Sequence, residues 1–314
     1  MMKRAEMLDS TESILEKAGF HLSKRCTSRH SCFDLVANGK RQLTFIKVYV
    51  NIGNVSAKDA SELQTISQCF SATPFIIGEK TRRKPLEDDT VYSRYGICAI
   101  TTKTLEEMVL NEVPPLVEAG PGGYYIQLDG NLVKKRRQEL ELSVGKLAEM
   151  IGISRRTLYG YEKGMAKASV STAYKLEWIL GVPVAKFIDA FQFTPKDTDF
   201  FATARCIIVK HQLLQTIFKK FTQFDFRVVH LGRAPFDFIA QRSEIKLKII
   251  GGVANKKERN VDQRTEEITS VCEIIKAQPV FITEEEKTSN NNIPTVNCEA
   301  LTKMQCLEDF IAKL

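Results

Sequence analysis

Residues 132–191 read LVKKRRQELELSVGKLAEMIGISRRTLYGYEKGMAKASVSTAYKLEWILGVPVAKFIDAF, and the reading of this stretch decides the fold. Ser143 and Ser154 each stand just before an apolar-periodic run. A Ser at that place caps a helix N-terminus by accepting a backbone N–H of the first turn. Gly152 ends the first run, where a positive φ is usually required. Ala148 is small where two helices must cross closely. Leu147, Ile151, Leu158 and Tyr161 then face one another across the turn.

Leu147-Ala148, Gly152, Ser154, Leu158, Tyr161, Glu162 and Gly164 fall at the offsets of a helix-turn-helix. Leu140-x-Leu142 precedes them, and Ile179-Leu180-Gly181-Val182-Pro183 follows before a last amphipathic stretch. With these flanks, the region resembles the five-helix DNA-binding domain of the lambda-repressor and Cro family. The resemblance covers about 60 of the 314 residues. It implies that the second helix of the pair, 155–163, lies in the major groove with its N-terminal residues on base edges. Arg155 and Arg156 open that helix, and Arg suits bidentate hydrogen bonding to guanine. Thr157 and Tyr159 are further candidates, for a thymine methyl or a phosphate. Ser143, Lys146, Ser154, Lys163, Lys134 and Arg137 complete the expected DNA-facing set. Two residues depart from the family pattern. Val144 stands where a phosphate-gripping Gln is common, and Gly160 where a third base-reading side chain is common.

Charge agrees with a nucleic-acid partner. Residues 132–191 hold eleven Lys and Arg against six acids, a net +5, while the whole chain is +7. Clustered basic charge supplies sequence-independent DNA affinity by releasing counterions. The composition, 43% hydrophobic and 26% charged, is that of a soluble globular protein of two or three domains. No apolar run approaches membrane-spanning length, and the N-terminus lacks the apolar core of a secretory signal. Eight Cys without a CxxC pair point to reduced thiols in a cytoplasmic protein.

Upstream, residues 1–18 have helical periodicity, Phe20–Lys24 that of a strand, and Phe33–Ala37 and Leu43–Val50 that of a hairpin turning at Asn38-Gly39. Ala57–Phe70 is expected as a helix with Ala60, Leu63, Ile66 and Phe70 inward. Phe75–Ile77 and Gly96–Ile100 follow as strands around a charged loop, Thr81–Asp89, and Thr104–Leu110 closes as a helix. This gives an α/β domain at 1–117. Pro114-Pro115 and Gly120–Gly123 mark 118–130 as a linker in which Tyr124–Leu128 could be a strand. The helix-turn-helix domain spans 131–192, and a boundary with Pro195 falls at 193–199.

Residues 200–314 read as a second copy of the first domain. Phe236-Asp237-Phe238-Ile239-Ala240 matches Phe33-Asp34-Leu35-Val36-Ala37. Ile268, Val271, Pro279, Phe281 and Ile282 match Leu63, Ile66, Pro74, Ile76 and Ile77 at a constant offset of 205. Leu247-Lys248-Ile249 is matched to Ile46-Lys47-Val48 by deleting two turn residues. The expected fold class is therefore multidomain, an all-α reader flanked by two α/β repeats.

The element order, with Asp on one hairpin strand and Lys on the next, resembles the restriction-endonuclease fold. Its active site needs Asp, then Glu or Asp, then Lys: two carboxylates hold Mg2+, and Lys supports the attacking water or the developing charge. The first copy reads Asp34, Phe45, Lys47 and the second Asp237, Lys246, Lys248. Phe45 cannot bind a metal and Lys246 would repel one, so both copies are expected to be scaffolds without catalytic residues, metal or cofactor. A hairpin paired one step tighter would bring Asp237, Glu244 and Lys246 together. That is the alternative: a Mg-dependent nuclease targeted by the helix-turn-helix. A structural nucleoid protein is a third class. His21, Cys26, His30 and Cys32 match no common zinc spacing, and Cys298 and Cys306 have no neighbouring His.

End to end, the architecture resembles a family of archaeal helix-turn-helix transcriptional regulators with flanking domains on both sides of the reader. That resemblance implies an intracellular, sequence-specific, non-catalytic regulator acting on double-stranded DNA, here expected as a homodimer without membrane contact. It names no effector.

Overall fold

The computed structural model describes residues 3–39, 42–82, 84–192, 212–254, 260–283, 293–304 and 307–312. The boundary expected at 193–199, the opening residues 200–211 of the second α/β stretch, and Cys306 lie outside these. Among the described residues, no helix is long and apolar enough to cross a membrane.

The N-terminal stretch runs α1 (Arg4–Lys17), β1 (His21–Leu22), β2 (Leu35–Asn38), β3 (Leu43–Asn51), a 3-10 turn (Ile52–Asn54), α2 (Ala57–Phe70), β4 (Thr73–Thr81), β5 (Lys84–Pro85), β6 (Thr90–Arg94), β7 (Ile97–Ile100) and α3 (Thr102–Leu110). The middle holds β8 (Val117–Gly120), β9 (Gly123–Ile126), α4 (Gly130–Glu139), α5 (Val144–Ile151), α6 (Arg155–Glu162), β10 (Ala168–Ser169) and α7 (Val170–Leu180). The C-terminal stretch runs α8 (Gln212–Gln223), β11 (Arg227–His230), β12 (Phe238–Arg242), β13 (Leu247–Ala254), α9 (Val261–Ile275), β14 (Gln278–Thr283), β15 (Thr295–Asn297), α10 (Cys298–Lys303) and α11 (Leu307–Ile311).

Two compact units result, and they cut across the expected three-domain division. One holds Met1–Ile14, Tyr49–Asn54 and Ile76–Gln192; the other holds Leu15–Val48, Val55–Phe75 and Phe193–Leu314. The cause is visible inside the second unit, where residues 15–75 are bonded to the C-terminal stretch. Asn38 Nδ2 donates to the Ile274 carbonyl (3.3 Å), and Gln241 Nε2 to the Cys69 carbonyl (2.7 Å). Glu62 accepts the N–H groups of Gly232 (3.0 Å) and Arg233 (2.7 Å), while Glu267 accepts those of Thr27 (2.9 Å) and Ser28 (2.7 Å). The rings of Phe33 and Phe236 meet with centroids 6.2 Å apart. Arg233 reaches Asp59 at 2.6 Å, and Arg29 reaches Asp237 at 2.7 Å. Burial alone would raise the Asp59 carboxyl, but hydrogen bonds from Ser56, Arg233 and His30 outweigh it and bring the group down to about 2.

Within this unit β1, β2 and β3 pair antiparallel. Asn38, expected in the turn, instead stands opposite Leu43 as the last pair of β2 and β3, and Gly39 donates to the Gln42 carbonyl (3.0 Å); residues 40–41 lie outside the described residues. α2 spans the expected residues, with Ser56 as its cap and Ala60, Leu63, Ile66 and Phe70 buried. β11, β12 and β13 are antiparallel, and β13, β14 and β15 parallel. Phe221 anchors the C-terminal core, with Phe226, Phe238 and Phe310 edge-on to it at 5.2–5.4 Å.

In the first unit, the expected linker 118–130 is instead a hairpin. β8 runs parallel to β6, β9 turns back on β8, and β10 completes the set against β9. Of the residues that suggest a break, Gly120–Gly123 form the hairpin turn, with Gly122 at φ 84, while Pro114-Pro115 precede β8. β6 gives no clear signal in the sequence because its charged flanks mask a buried Thr90-Val91-Tyr92 run. The amphipathic stretch after Pro183 is not a helix. The N–H groups of Val184 and Ala185 donate to Glu177, and those of Lys186 and Ile188 to the carbonyls of Gln127 and Pro115. These partners hold the backbone extended, so the reader region shows four helices where five were expected.

Candidate nucleic-acid interface

Local chemistry builds the reader as the spacing requires. Ser143 Oγ accepts the Lys146 N–H (3.0 Å), and Ser154 Oγ accepts the Thr157 N–H (3.0 Å). Gly152 closes α5 at φ 82. Leu147, Ala148, Ile151, Leu158 and Tyr161 are buried in one core with Val133, Leu176 and Leu180, which Ile126 at the end of β9 and Leu128 just beyond it also enter. A Cβ on Gly130 would lie 2.4 Å from the carbonyls of Tyr161 and Glu162, so α4 meets α6 backbone to backbone.

Arg155 and Arg156 are exposed at the start of α6, and no ion pair engages either among the described residues. The Arg155 guanidinium lies over Gly145, where an added Cβ would come 2.7 Å from Nε. Thr157 is half-buried, and Tyr159 is 51% exposed with Lys163 Nζ 5.7 Å from its ring centroid. Lys134 is exposed, and Lys146 is exposed with Nζ 3.4 Å from Glu149. The hydroxyls of Ser143 and Ser154 are engaged as caps. This arrangement puts two unpaired guanidinium groups at the positive end of a helix dipole, which favours a polyanion.

Arg137 does not belong to this surface. Its Nε and Nη2 grip Glu162 at 2.5 and 3.1 Å, and its Nη1 donates to the Leu142 carbonyl (2.8 Å). Both side chains are buried, and the Glu162 bond raises the guanidinium further above its ordinary value. Arg137 therefore clamps α4 to α6 and is not available to a phosphate.

Gly160 faces little. A Cβ there would meet only Ala166 Cβ, at 3.8 Å, an ordinary contact, and its φ is not positive. Gly160→Ala is therefore expected to stabilise the reader by roughly 0.5–1 kcal/mol through lower unfolded-chain entropy. A rise in melting temperature checks this; a fall would mean that α6 needs the glycine for a purpose beyond its own backbone.

The acid sites of the α/β stretches differ from one another. Asp34 Oδ1 lies 2.8 Å from Lys47 Nζ, and Oδ2 accepts the Val48 N–H (2.8 Å). Lys47 also donates to the Ser31 carbonyl (2.6 Å). Phe45, where a second carboxylate would stand, is fully buried and edge-on to Phe33 at 5.1 Å.

In the C-terminal stretch, Asp237 N–H donates to Gly251 and Asp237 Oδ2 accepts the Val253 N–H, as Asp34 does with Ile46 and Val48. Gly252 therefore occupies the place of Lys47, and Lys248 does not: the two-residue deletion in the sequence match was wrong. A Cβ on Gly252 would lie 2.6 Å from the Phe281 ring, so no Lys fits there. Asp237 is held instead by Arg264 and Arg29. Glu244 and Lys246 sit in the β12–β13 turn, Glu244 bonded to Arg242 (3.0 Å) and Lys246 at φ 53. The five residues of β12 separate them from Asp237, so the tighter hairpin does not form.

Among the described residues, no group of three or more His, Cys, Asp and Glu is placed to hold a metal. Burial pushes the Cys26 and Cys32 thiols well above their ordinary value, and His30 bonds to Asp59 (3.2 Å).

Comparison with known proteins follows the same division. Residues 4–115 match the PD-(D/E)XK superfamily domain, and residues 133–187 match the helix-turn-helix family. A relative in Pyrococcus horikoshii is 32% identical over 311 residues, covering 99% of this chain and 97% of its own. One in Methanocella arvoryzae is 35% identical over 286 residues, covering 90% and 86%. One in Methanocaldococcus jannaschii is 33% identical over 310 residues, covering 97% and 94%. Each bears the name "Putative HTH-type transcriptional regulatory protein". With both chains matched almost from end to end, this chain belongs to that family of archaeal helix-turn-helix proteins.

Proposed function

We propose that the protein is a sequence-specific DNA-binding transcriptional regulator, non-catalytic, which reads the major groove with α6. The observation that carries this is the exposed Arg155-Arg156 pair opening the second helix of a doubly capped helix pair. Family membership supports it. Phe45 and Gly252, standing where a metal carboxylate and a lysine would be needed, support the absence of catalysis. Among the described residues the cysteines are free and mostly buried, which fits a reducing cytoplasm.

Arg155→Ala or Arg156→Ala is expected to lose about 1–3 kcal/mol of discrimination at one base pair, because a bidentate Arg–guanine contact is worth that much. Lys134→Ala should weaken all sequences about equally and flatten the salt dependence. Selection from random DNA followed by titration of the selected site measures both. Unchanged sequence preference in both Arg variants would refute the docking of α6.

The two α/β stretches are, in this reading, copies of one domain packed as an internal pseudo-dimer. Reciprocal bonding supports this: Asn38 and Gln241 are 203 apart, Cys69 and Ile274 are 205 apart, and Glu62 and Glu267 are 205 apart, each pair exchanging roles. That is the pattern of an isologous interface. The copies leave a single reader per chain, so a pseudo-palindromic site is expected to bind two chains, with half-sites ~34–36 Å apart. The ridge Val170, Tyr174 and Trp178 on α7, all exposed, offers an apolar surface for that second copy. Sedimentation of the complex should give two chains per site; one chain at saturation would refute the homodimer.

A further inference from the structure

A cavity of about 560 Å³ lies in the first unit, a size that takes a drug-sized or nucleotide-sized ligand. Four separate segments wall it: the 3-10 turn after β3, the β4–β5 connection, β6, and the β8–β9 hairpin. Arg82, Lys84 and Arg94 line it, with Tyr92 and Tyr124, and among the described residues no acid does. Arg82 and Lys84 are exposed and Arg94 is half-buried.

Arg94 carries the argument. Its Nε is buried and has no hydrogen-bond partner among the described residues. Among the described residues its Nη2 reaches the Gly53 carbonyl and the Tyr95 hydroxyl, each at 3.5 Å, and its guanidinium rests 4.5 Å from the centroid of the Tyr95 ring. A buried guanidinium N–H without an acceptor is costly, and such a group calls for an explanation. The Nε itself is out of reach of the cavity, but the rest of this half-buried guanidinium lines it, and an anionic oxygen entering there would give it a charge-assisted bond stronger than its two 3.5 Å contacts. The hydroxyls of Tyr92 on β6 and Tyr124 on the β8–β9 hairpin stand 3.5 Å apart, so the cavity offers aromatic surface as well as positive charge.

We propose that this cavity binds a phosphorylated small molecule of nucleotide size, its phosphates on Arg94, Arg82 and Lys84 and its ring against Tyr92 and Tyr124. The wall formed by the β8–β9 hairpin makes the site regulatory. Tyr125 and Ile126 of β9 pair with Ser169 and Ala168 of β10. Ser169 Oγ in turn caps α7 by accepting the Thr172 N–H (3.2 Å), and Ile126 and Leu128 belong to the reader core. Ligand that shifts the hairpin therefore shifts the support of the reader. This coupling rests on the DNA-binding reading; the binding of ligand does not.

Calorimetric titration of the full chain with ADP tests the site, with adenosine as the uncharged control. Saturable binding of ADP, none of adenosine, and at least tenfold weaker ADP binding in Arg94→Gln are expected. Lys84→Gln, at an exposed position, repeats the test should Arg94→Gln fail to fold. ADP is then added to the selected DNA site, and a changed DNA affinity that vanishes in the weakened variant is expected. Absence of saturable ADP binding, or equal binding in both variants, overturns the proposal. So does an Arg94→Gln protein that loses DNA affinity while the wild type binds no ADP, since the cavity would then hold a DNA phosphate. ADP binding without any DNA binding would leave the site standing and sink the regulator reading instead.

Discussion

Arg137→Met is expected to cost about 3–5 kcal/mol of stability in the reader, the loss seen when one partner of a buried ion pair is removed. The Glu162 carboxylate would remain buried at the end of α6, having lost both bonds from the guanidinium, and the Leu142 carbonyl would lose its donor. Hydrogen exchange over residues 130–180 together with urea unfolding reads this locally. The double replacement Arg137→Met, Glu162→Met removes both charges and should recover most of the loss, since a well-packed apolar pair is often no less stable than a buried salt bridge. DNA affinity in Arg137→Met should fall in proportion to the unfolded fraction. Its salt dependence, measured where the protein is folded, should match the wild type. A flattened salt slope with unchanged stability would return Arg137 to the phosphate-contacting set.

That misassignment shows where the sequence was legible. Caps, the Gly152 turn and the apolar face of α5 and α6 depend on neighbours within a few residues, and these were read as they stand. Arg137 looked like one more charge in the basic run Lys134–Arg137. Its position four after the buried Val133 put it on the inner face of α4, a signal available from helical spacing. The β13 register was misread for a similar reason: Lys248 was matched to Lys47 by identity. The offset of 205 that held for α9 and β14 would have pointed to Gly252, which the backbone bonds of Asp237 select. The hairpin at 117–126 reads as a linker in sequence because Gly and Pro mark chain reversal and chain breakage alike. The extended run after Pro183 depends on acceptors far away in sequence, Gln127 and Pro115. The Arg94 cavity had no sequence signal, since its walls come from four segments.

Asp34→Ala is likewise expected to cost about 3–5 kcal/mol, because it strips the carboxylate from a buried Lys47. The pair spans adjacent strands: Asp34 just precedes β2, Lys47 lies in β3, and the Val48 N–H fixes the second carboxylate oxygen. In a metal-dependent nuclease that second oxygen and a neighbouring carboxylate would face a cation. Here the neighbour is Phe45, packed on Phe33 and Phe70. On the non-catalytic reading Asp34 is expected to act on stability, and Lys47→Met in the Asp34→Ala background should restore much of it by removing the stranded charge. Wild-type protein with Mg2+ or Mn2+ should leave supercoiled, linear and branched DNA intact. Cleavage by the wild type that vanishes in Asp34→Ala, at a temperature where both are folded, would overturn the non-catalytic reading. Cleavage that survives Asp34→Ala but vanishes in Asp237→Ala, Glu244→Ala would place the chemistry in the C-terminal stretch, against the separation of those two acids by the length of β12.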